Sequence, residues 1–168
     1  VLTGDSSLQR RPMERVARPL RSMGARIDTT QGKPPVQIHP VSRLQAIEYA
    51  LPMASAQVKS AIMLAALSAE STTRLTEPAP TRDHTERMLR AFGVQVDSGA
   101  GRVSLAGGQQ LHGTRIAVPG DFSSAAFFLV AGCLAGAAGF TIENVGIKPT
   151  RTGLLDILRL MGADIRVH

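Results

Sequence analysis

Aromatic residues are scarce in this sequence of 168 residues, which contains no tryptophan and one tyrosine. The apolar core must therefore be built from aliphatic side chains and methionine rather than from large rings. Cysteine is nearly absent, and the single Cys133 excludes an intramolecular disulfide. Because Cys133 lies in the apolar run at 127–134, we expect a buried and unreactive thiol. This cysteine usage fits a reducing, cytoplasmic location.

Long apolar runs are also missing. The longest apolar stretch, at about 125–138, is shorter than the ~20 residues that a membrane-spanning helix needs. No signal-peptide pattern is visible, and the start at Val1 predicts that the natural N-terminus lies further upstream. We therefore expect no membrane association. The length suffices for one domain, or for one domain and part of a second.

Lysine is rare as well, so the formal net charge of +6 comes almost entirely from arginine, with 16 Arg against 3 Lys. A guanidinium group binds carboxylates and phosphates through two parallel hydrogen bonds, whereas an ammonium group acts as a point charge. Small anionic ligands are thus one expected class of partner. A general arginine bias is the alternative, and a basic nucleic-acid-binding domain is another. Against nucleic acid, the single tyrosine leaves little for base stacking.

The sequence contains an internal repeat of 69 residues, which is marked by Gly24, Gly93 and Gly162. Each glycine follows an amphipathic segment and precedes an alternating one. This pattern predicts a helix that ends at a glycine in the left-handed conformation and is followed by a strand. The same offset relates a leucine and an arginine in every copy: Leu20, Leu89 and Leu158, then Arg21, Arg90 and Arg159.

The second and third copies also match upstream, where helices are predicted at 56–68 and 124–135 and strands at 72–75 and 139–143. In the second copy, strands at 94–97 and 102–105 are joined by a predicted turn at 98–101. The first copy contains the second half only, with a turn at 31–35 before a strand at 36–38. The predicted fold is therefore α+β, built from βαβαββ units that pack around a shared helical core.

Polar residues stand at three predicted helix starts. Arg11 precedes Pro12, which we place in the first helical turn after a polar loop. Ser55 is the predicted N-cap of the apolar helix, with Gln57 in its first turn. Thr81 is the predicted cap of the next helix. Helix starts favour anions because their N–H groups are unpaired, although ordinary capping and solvated side chains explain the same residues.

Other kinds of site are not supported by the sequence. His84 has no second histidine or cysteine at ligand spacing, so no metal site is predicted. The segment at 118–125 lacks the G-x-S-x-G pattern of a nucleophile elbow, and helix capping explains its serines. Phosphate-binding loops and dinucleotide fingerprints do not occur.

Four segments together resemble successive signatures of the 5-enolpyruvylshikimate-3-phosphate (EPSP) synthase family. They are LTGD with RPM at 2–5 and 11–13, SAQVKSA at 55–61, TRDHTERML at 81–89 and GDFSSA at 120–125. The resemblance covers essentially the whole chain. It implies an enolpyruvyl transferase-like inside-out α/β barrel, with two domains of three βαβαββ units whose helix N-termini converge on a cleft. It also implies transfer of the enolpyruvyl group of phosphoenolpyruvate to shikimate 3-phosphate, without a metal or organic cofactor.

The resemblance assigns roles to five residues of this sequence. Arg11 resembles the arginine that binds phosphoenolpyruvate, and Gln57 is expected to contact both substrates. Ser55, Ala56 and Gln57 resemble the cradle of shikimate 3-phosphate, and Arg82 is a further contact to that substrate. One branch of the family has serine at the position of Ala56, so only the backbone N–H serves here. No catalytic residue is assigned, because the family's acid and base lie outside the sequence, and the chain alone is expected to be inactive.

The same resemblance predicts the domain organisation. Residues 1–117 correspond to the second, partial, and third units of the N-terminal domain, and residues 118–168 to the first part of the opposite domain. The chain is expected to be an internal fragment of a monomeric enzyme that binds neither nucleic acid nor membrane. Three alternatives stay open: the related transferase that acts on a UDP-sugar, the nucleic-acid-binding domain, and a folding module that binds nothing.

Overall fold

The computed structural model describes residues 1–135, 139–148 and 151–168. They form two compact units, unit 1 at Val1–Thr114 and unit 2 at Arg115–His168. The division lies close to the boundary that we predicted after residue 117. The assignment of the two units to opposite domains of a longer enzyme stays a prediction.

Unit 1 contains one complete βαβαββ unit, preceded by the second half of another. The half unit consists of α1 (Glu14–Ser22), β1 (Arg26–Thr30) and β2 (Lys33–His39), after a short 3-10 turn at Leu8–Arg10. The predicted α+β class and the predicted order of elements are confirmed. The complete unit consists of β3 (Glu48–Ala50), α2 (Ala56–Ala66), β4 (Thr72–Thr76), α3 (His84–Ala91), β5 (Asp97–Gly99) and β6 (Arg102–Ala106).

The strands of unit 1 form two sheets. The β1-β2 hairpin is a two-stranded antiparallel sheet, and the second sheet has the order β3-β4-β6-β5. Strand β3 is parallel to β4, so α2 is the crossover between them, while β6 is antiparallel to both of its neighbours. Both hairpins turn on two residues with positive φ, Gln31-Gly32 and Ala100-Gly101. Such a pair suits a two-residue turn, so both turns are shorter than predicted.

The core of unit 1 lies between α2 and the four-stranded sheet. Helix α2 contributes Val58, Ile62, Met63 and Ala66, which pack with buried residues of the strands and of the other helix ends. The end of α2 closely approaches Gly107, where an added Cβ would lie 2.0 Å from the carbonyl oxygen of Ala69. A side chain at that position is therefore excluded, and glycine is required for the packing of the helix end.

The strand predicted at 94–97 is wrong, because β5 starts only at Asp97. Residues 94–96 precede it without a strand partner, although Val94 and Val96 are buried. The side chain of Gln109 takes the place of that partner. Its Oε1 accepts from the Gln95 N–H at 2.8 Å, and its Nε2 donates to the Gln95 carbonyl at 3.1 Å. A side-chain amide thus satisfies the backbone groups that a neighbouring strand would otherwise bind.

Two predicted helix starts are displaced. Helix α1 begins at Glu14, so Pro12 precedes the helix instead of lying in its first turn. The N–H groups of Met13 and Glu14 donate to the carbonyl oxygen of Gly32 at 2.7 and 3.1 Å, which satisfies this helix start without a side-chain cap. Helix α3 begins at His84, and Thr81 is not its cap because the Thr81 hydroxyl donates to Glu77 instead.

Unit 2 contains α4 (Phe122–Leu134) and α5 (Gly153–Leu160). The strand predicted at 139–143 is absent, and the part of unit 2 that the structure describes contains only an isolated parallel bridge between Gly120 and Val145. A strand needs a partner for its backbone groups, which this bridge supplies at one position. The predicted burial of Cys133 is also wrong, since its side chain is exposed. The predicted Pro-Thr match at 149–150 lies outside the described residues.

All three repeat glycines end a helix as predicted. Gly24, Gly93 and Gly162 have φ values of 88°, 86° and 96°, and each follows the last residue of α1, α3 or α5 by two positions. In each copy the N–H after the glycine donates to the carbonyl of the repeat leucine at 2.9–3.0 Å, which is the hydrogen bond of a Schellman end. None of the helices in the described residues has the length and apolarity for a membrane crossing.

Candidate functional site

The first turns of α1 and α2 are joined by a hydrogen bond. Arg15, the second residue of α1, donates from Nη2 to Oε1 of Gln57, the second residue of α2, at 2.8 Å. Both side chains are exposed. The unpaired N–H groups of two helix starts therefore lie in one region of unit 1, where the helix dipoles add to the charge of Arg15.

Helix α2 has a regular capped start. Ser55 is in the extended conformation, and its Oγ accepts from the N–H of Val58 at 3.4 Å, which confirms Ser55 as the N-cap. The first intrahelical bond runs from Lys59 N–H to the Ser55 carbonyl. The N–H groups of Ala56 and Gln57 precede this bond and have no acceptor within the helix. They are free to donate to an anionic ligand.

Helix α3 starts beside α2. The hydroxyl groups of Ser60, in the second turn of α2, and Thr85, in the first turn of α3, are 2.6 Å apart. Together with the Arg15–Gln57 pair, this contact gathers three helix starts in unit 1. We call Arg15, Gln57, Ser60 and Thr85 the helix-start cluster. Sequence reasoning gave three separate helix starts, whereas the structure brings them together.

A buried ion triad lies next to the helix-start cluster. Lys59 of α2 is 1% exposed, and its Nζ lies 2.6 Å from Oε1 of Glu86 and 3.1 Å from Oε2 of Glu77. Glu77 follows β4, Glu86 belongs to α3, and Thr81 donates its hydroxyl to Glu77. The Lys59 triad therefore ties α2 to both ends of the segment that carries Arg82. Buried charges need such partners, because an unpaired charge in the core is strongly unfavourable.

Arginines of unit 1 differ in their availability for a ligand. Within the described residues, the guanidinium groups of Arg11 and Arg82 make no hydrogen bond or ion pair, and both side chains are exposed. By contrast, Arg21 and Arg90 donate to the carbonyl groups of Ile27 and Val96, six residues later in the chain. These repeat arginines satisfy the backbone after the helix end, so they are structural.

Unit 2 shows a related helix start. Asp121 is the N-cap of α4, and its Oδ2 accepts from the Ser124 N–H at 3.1 Å. The hydrogen bond from the backbone of Ser123, followed by those of Ser124, holds the pKa of Asp121 below its ordinary value. Arg151, which stands just before α5, donates to the Ser123 hydroxyl at 2.8 Å. The position that repeats Arg82 in unit 2 thus reaches the start of the preceding helix.

The five residues assigned by resemblance all lie in unit 1, at or just before the helix starts. Gln57 belongs to the helix-start cluster, and Ser55 and Ala56 begin the same helix, α2. Arg11 lies in the three-residue link between the 3-10 turn and α1, and Arg82 precedes α3 by two residues. The described residues contain no hydrogen bond between Arg11, Gln57 and Arg82, so their common ligand stays a prediction.

Sequence reasoning missed two features of this site. It did not single out Arg15, although a second arginine four residues after Arg11 falls on the same side of a helix start. It also passed over the Lys59 triad, for which a lysine inside an apolar helix was the available signal. Among the described residues, no three His, Cys, Asp or Glu side chains lie close enough together to hold a metal ion.

Comparisons with known proteins agree with the resemblance. The sequence model of EPSP synthase (3-phosphoshikimate 1-carboxyvinyltransferase) matches residues 1–168. The 3-phosphoshikimate 1-carboxyvinyltransferase of Hydrogenovibrio crunogenus is 60% identical over 99% of this chain, and that of Halorhodospira halophila is 58% identical over 99%. The chain spans 39% and 38% of the length of these two relatives.

Solved structures give the same result. The structure of EPSP synthase from Acinetobacter baumannii matches 96% of this chain with a TM-score of 0.82 and 59% identity, and the match covers 37% of that chain. The enolpyruvyl transferase NikO from Streptomyces tendae matches 65% of this chain and 24% of its own, with a TM-score of 0.50 and 20% identity, which shows the fold alone. By sequence and by structure, this chain belongs to the EPSP synthase family.

Proposed function

We propose that these residues form part of the substrate-binding cleft of a 3-phosphoshikimate 1-carboxyvinyltransferase. The proposed reaction moves the enolpyruvyl group of phosphoenolpyruvate to the 5-hydroxyl of shikimate 3-phosphate and releases inorganic phosphate. The observation that carries the proposal is the gathering of three helix starts in unit 1, with the unpaired guanidinium groups of Arg11 and Arg82 just before two of them. Both substrates carry phosphate and carboxylate groups, which such donors bind.

Each proposed contact follows from the chemistry of its group. Arg11 binds phosphoenolpyruvate, because its guanidinium group is exposed and offers paired donors to a carboxylate or phosphate. Ser55 and the backbone N–H of Ala56 bind the phosphate of shikimate 3-phosphate at the start of α2. Gln57 contacts both substrates, and Arg82 contacts shikimate 3-phosphate. These contacts make the chain a binding element of the enzyme.

The reaction also needs a proton donor for the enolpyruvyl methylene group and a proton acceptor for the 5-hydroxyl. We assign neither role to a residue of this chain, and we propose that other segments of a longer, monomeric, cytoplasmic enzyme supply them. Residues 1–117 would then belong to one domain and residues 118–168 to the other. No metal or organic cofactor takes part in the proposed reaction.

The nucleic-acid alternative is weaker than this proposal. Three arginines that recur with the repeat, Arg21, Arg90 and Arg159, each donate to a backbone carbonyl six residues later. They therefore stabilise helix ends and do not form a basic stripe. The UDP-sugar alternative is separated by ligand choice. Shikimate 3-phosphate should shift the amide signals of residues 55–57, whereas a UDP-sugar should leave them unchanged.

Arg11→Ala in the full-length protein tests the proposed function. Loss of charged hydrogen bonds to phosphoenolpyruvate should raise the KM for that substrate by about tenfold or more. The affinity for shikimate 3-phosphate should change little. Arg18→Ala is the matched control, since Arg18 is an exposed arginine on α1 away from its first turn. An unchanged KM for phosphoenolpyruvate in Arg11→Ala would refute the role of Arg11.

A further inference from the structure

The Arg15–Gln57 hydrogen bond determines which way the amide of Gln57 faces. A guanidinium group carries only donors, so the atom of Gln57 that faces Arg15 at 2.8 Å must be the carbonyl oxygen Oε1. The amino group Nε2, with two N–H donors, then faces away from Arg15. The orientation of this amide follows from the chemistry of its partner and does not depend on distinguishing oxygen from nitrogen.

This orientation matters at a site for anions. If the amide turned over, Oε1 would point at the ligand and repel its oxygen atoms, while Nε2 would face the guanidinium group with donor against donor. A free glutamine side chain also samples many rotamers, whereas the bond to Arg15 restricts Gln57 before a ligand arrives. The pair lies at the second residue of two helices, so both backbones are fixed at this point.

We propose that Arg15 is a positioning residue that holds the Gln57 amide with its two N–H donors toward the substrates. This inference rests on the proposed function, because it names a residue that acts through one of the proposed binding residues. Arg15 contributes to affinity through Gln57 and makes no separate contact with either substrate. Direct binding of a substrate by the Arg15 guanidinium group is the competing explanation.

A double-mutant cycle separates the two explanations. Arg15→Met and Gln57→Met are made singly and together in the full-length protein, and the affinity for shikimate 3-phosphate is measured by calorimetry. Each single variant should bind about tenfold more weakly than the original protein. In the Gln57→Met background, Arg15→Met should add less than about twofold. Additive losses would show that Arg15 contacts the substrate itself and would overturn the proposal.

A conservative variant provides a second test. Lysine at position 15 also presents only donors, so Arg15→Lys should recover part of the affinity that Arg15→Met loses. Equal losses in the two variants would contradict positioning by a donor. Arg18→Met, an exposed arginine of the same helix, should bind normally, and thermal unfolding should be similar in all variants. An Arg15→Met protein that binds as well as the original would also refute the proposal.

A measurement without any ligand keeps this inference separate from the proposed function. In the free protein, 15N relaxation of the Gln57 side-chain amide should report restricted motion, and Arg15→Met should release it. If the original protein binds neither substrate while the Gln57 amide is restricted, the proposed function fails and the positioning contact remains. If the substrates bind normally while the amide is equally mobile in both proteins, the inference fails and the proposed function remains.

Discussion

Units 1 and 2 contain copies of the same repeat, yet they bury their first long helices differently. Val58 of α2 is 4% exposed, whereas Phe127, which occupies the equivalent position 69 residues later in α4, is 80% exposed. Both segments are nevertheless helical. Helix formation therefore follows from the local pattern, whereas burial requires a sheet to pack against, and the sheet is present beside α2 in unit 1.

Helix ends show the opposite behaviour, because they are alike in both units. Arg21, Arg90 and Arg159 all donate to the carbonyl oxygen six residues later, at 2.7–3.2 Å. The glycine ends of α1, α3 and α5 are equally similar. These interactions join residues within one short segment, so they form whether or not a strand partner follows. Local hydrogen bonds are thus the most conservative part of the repeat.

The Lys59 triad is a third point of comparison. At the positions 69 residues after Lys59, Glu77 and Glu86, unit 2 has the uncharged residues Phe128, Gly146 and Leu155. All three charges are therefore replaced together, which leaves no single buried charge without a partner. A buried ion cluster can be exchanged for apolar residues at little cost, whereas removal of one member is strongly destabilising. The repeat tolerates either complete solution.

Breaking the triad should have the largest effect on stability. Lys59→Met leaves the carboxylates of Glu77 and Glu86 buried without a cation, and should lower the free energy of unfolding by about 3–5 kcal/mol. The triple variant Lys59→Met, Glu77→Gln, Glu86→Leu, which imitates the uncharged copy, should recover most of this loss. Urea unfolding measures both. Lys33→Met, at an exposed lysine of β2, is the control. A loss below about 1 kcal/mol in Lys59→Met would contradict this account of the triad.

Alanine at the repeat glycines should test whether the helix ends are equivalent. Each substitution forces a side chain into the left-handed conformation, at a cost of about 1–2 kcal/mol. Gly24→Ala and Gly162→Ala should have similar effects, because neither added Cβ meets an atom closer than 4.0 Å. Gly93→Ala should cost more, because its Cβ would lie 2.9 Å from Cδ2 of His112.

The measurement for these variants is local. Hydrogen exchange of the amide that follows each glycine reports the opening of that helix end, independently of the rest of the unit. Gly113→Ala is the control, since Gly113 does not have positive φ and its surroundings are open. Equal exchange rates in Gly162→Ala and the original protein would show that the helix end of unit 2 differs from those of unit 1.

Loss of a repeat arginine should have a moderate effect. Arg90→Met removes two hydrogen bonds to the Val96 carbonyl and one to Ser98, and should lower the free energy of unfolding by about 1 kcal/mol. Arg159→Met should cost less, because its bonds to Ile165 are exposed. Chemical unfolding of both variants, with the exposed Arg87→Met as control, measures the difference. A larger loss at Arg159 would reverse the expected order.

The smallest expected effect concerns the pH dependence of the two helix caps. The pKa of Asp121 in the folded protein is lowered by the N–H groups that it accepts. Its ionised form therefore stabilises α4 fully above the ordinary pKa of about 4, and this contribution is lost as the pH falls through the lowered value. The hydroxyl cap Ser55 of α2 has no such dependence.

An NMR titration of the Asp121 carboxyl carbon, with amide exchange at Ser124, checks this difference between the caps. The titration midpoint should lie below about 4, and exchange at Ser124 should accelerate only in acid. Asp121→Asn, which keeps an acceptor without a charge, should remove the pH dependence. A midpoint at or above the ordinary value would contradict capping by an ionised carboxylate.

Predictions from the sequence were correct where the cause is local and incorrect where a partner is required. Ser55 as N-cap and the three glycine ends depend on residues within one or two turns, and they were correct. The strand at 94–97 was misplaced because the Gln109 side chain serves its backbone groups. Burial of Cys133 was wrong because an apolar segment is buried only when another element covers it. The roles of Arg11, Ser55, Ala56, Gln57 and Arg82 remain predictions.

The sequence by itself determined the order of elements in unit 1, the helix ends and the family, since these depend on short patterns and on signatures along the chain. Only the tertiary structure decided which polar side chains meet. Arg15 and Gln57 are 42 positions apart in sequence, and Lys59 and Glu77 are 18 apart. No local pattern specifies such pairs, because they form only after α1, α2 and the sheet have packed together. The same packing leaves Arg11 and Arg82 unpaired while the repeat arginines are occupied.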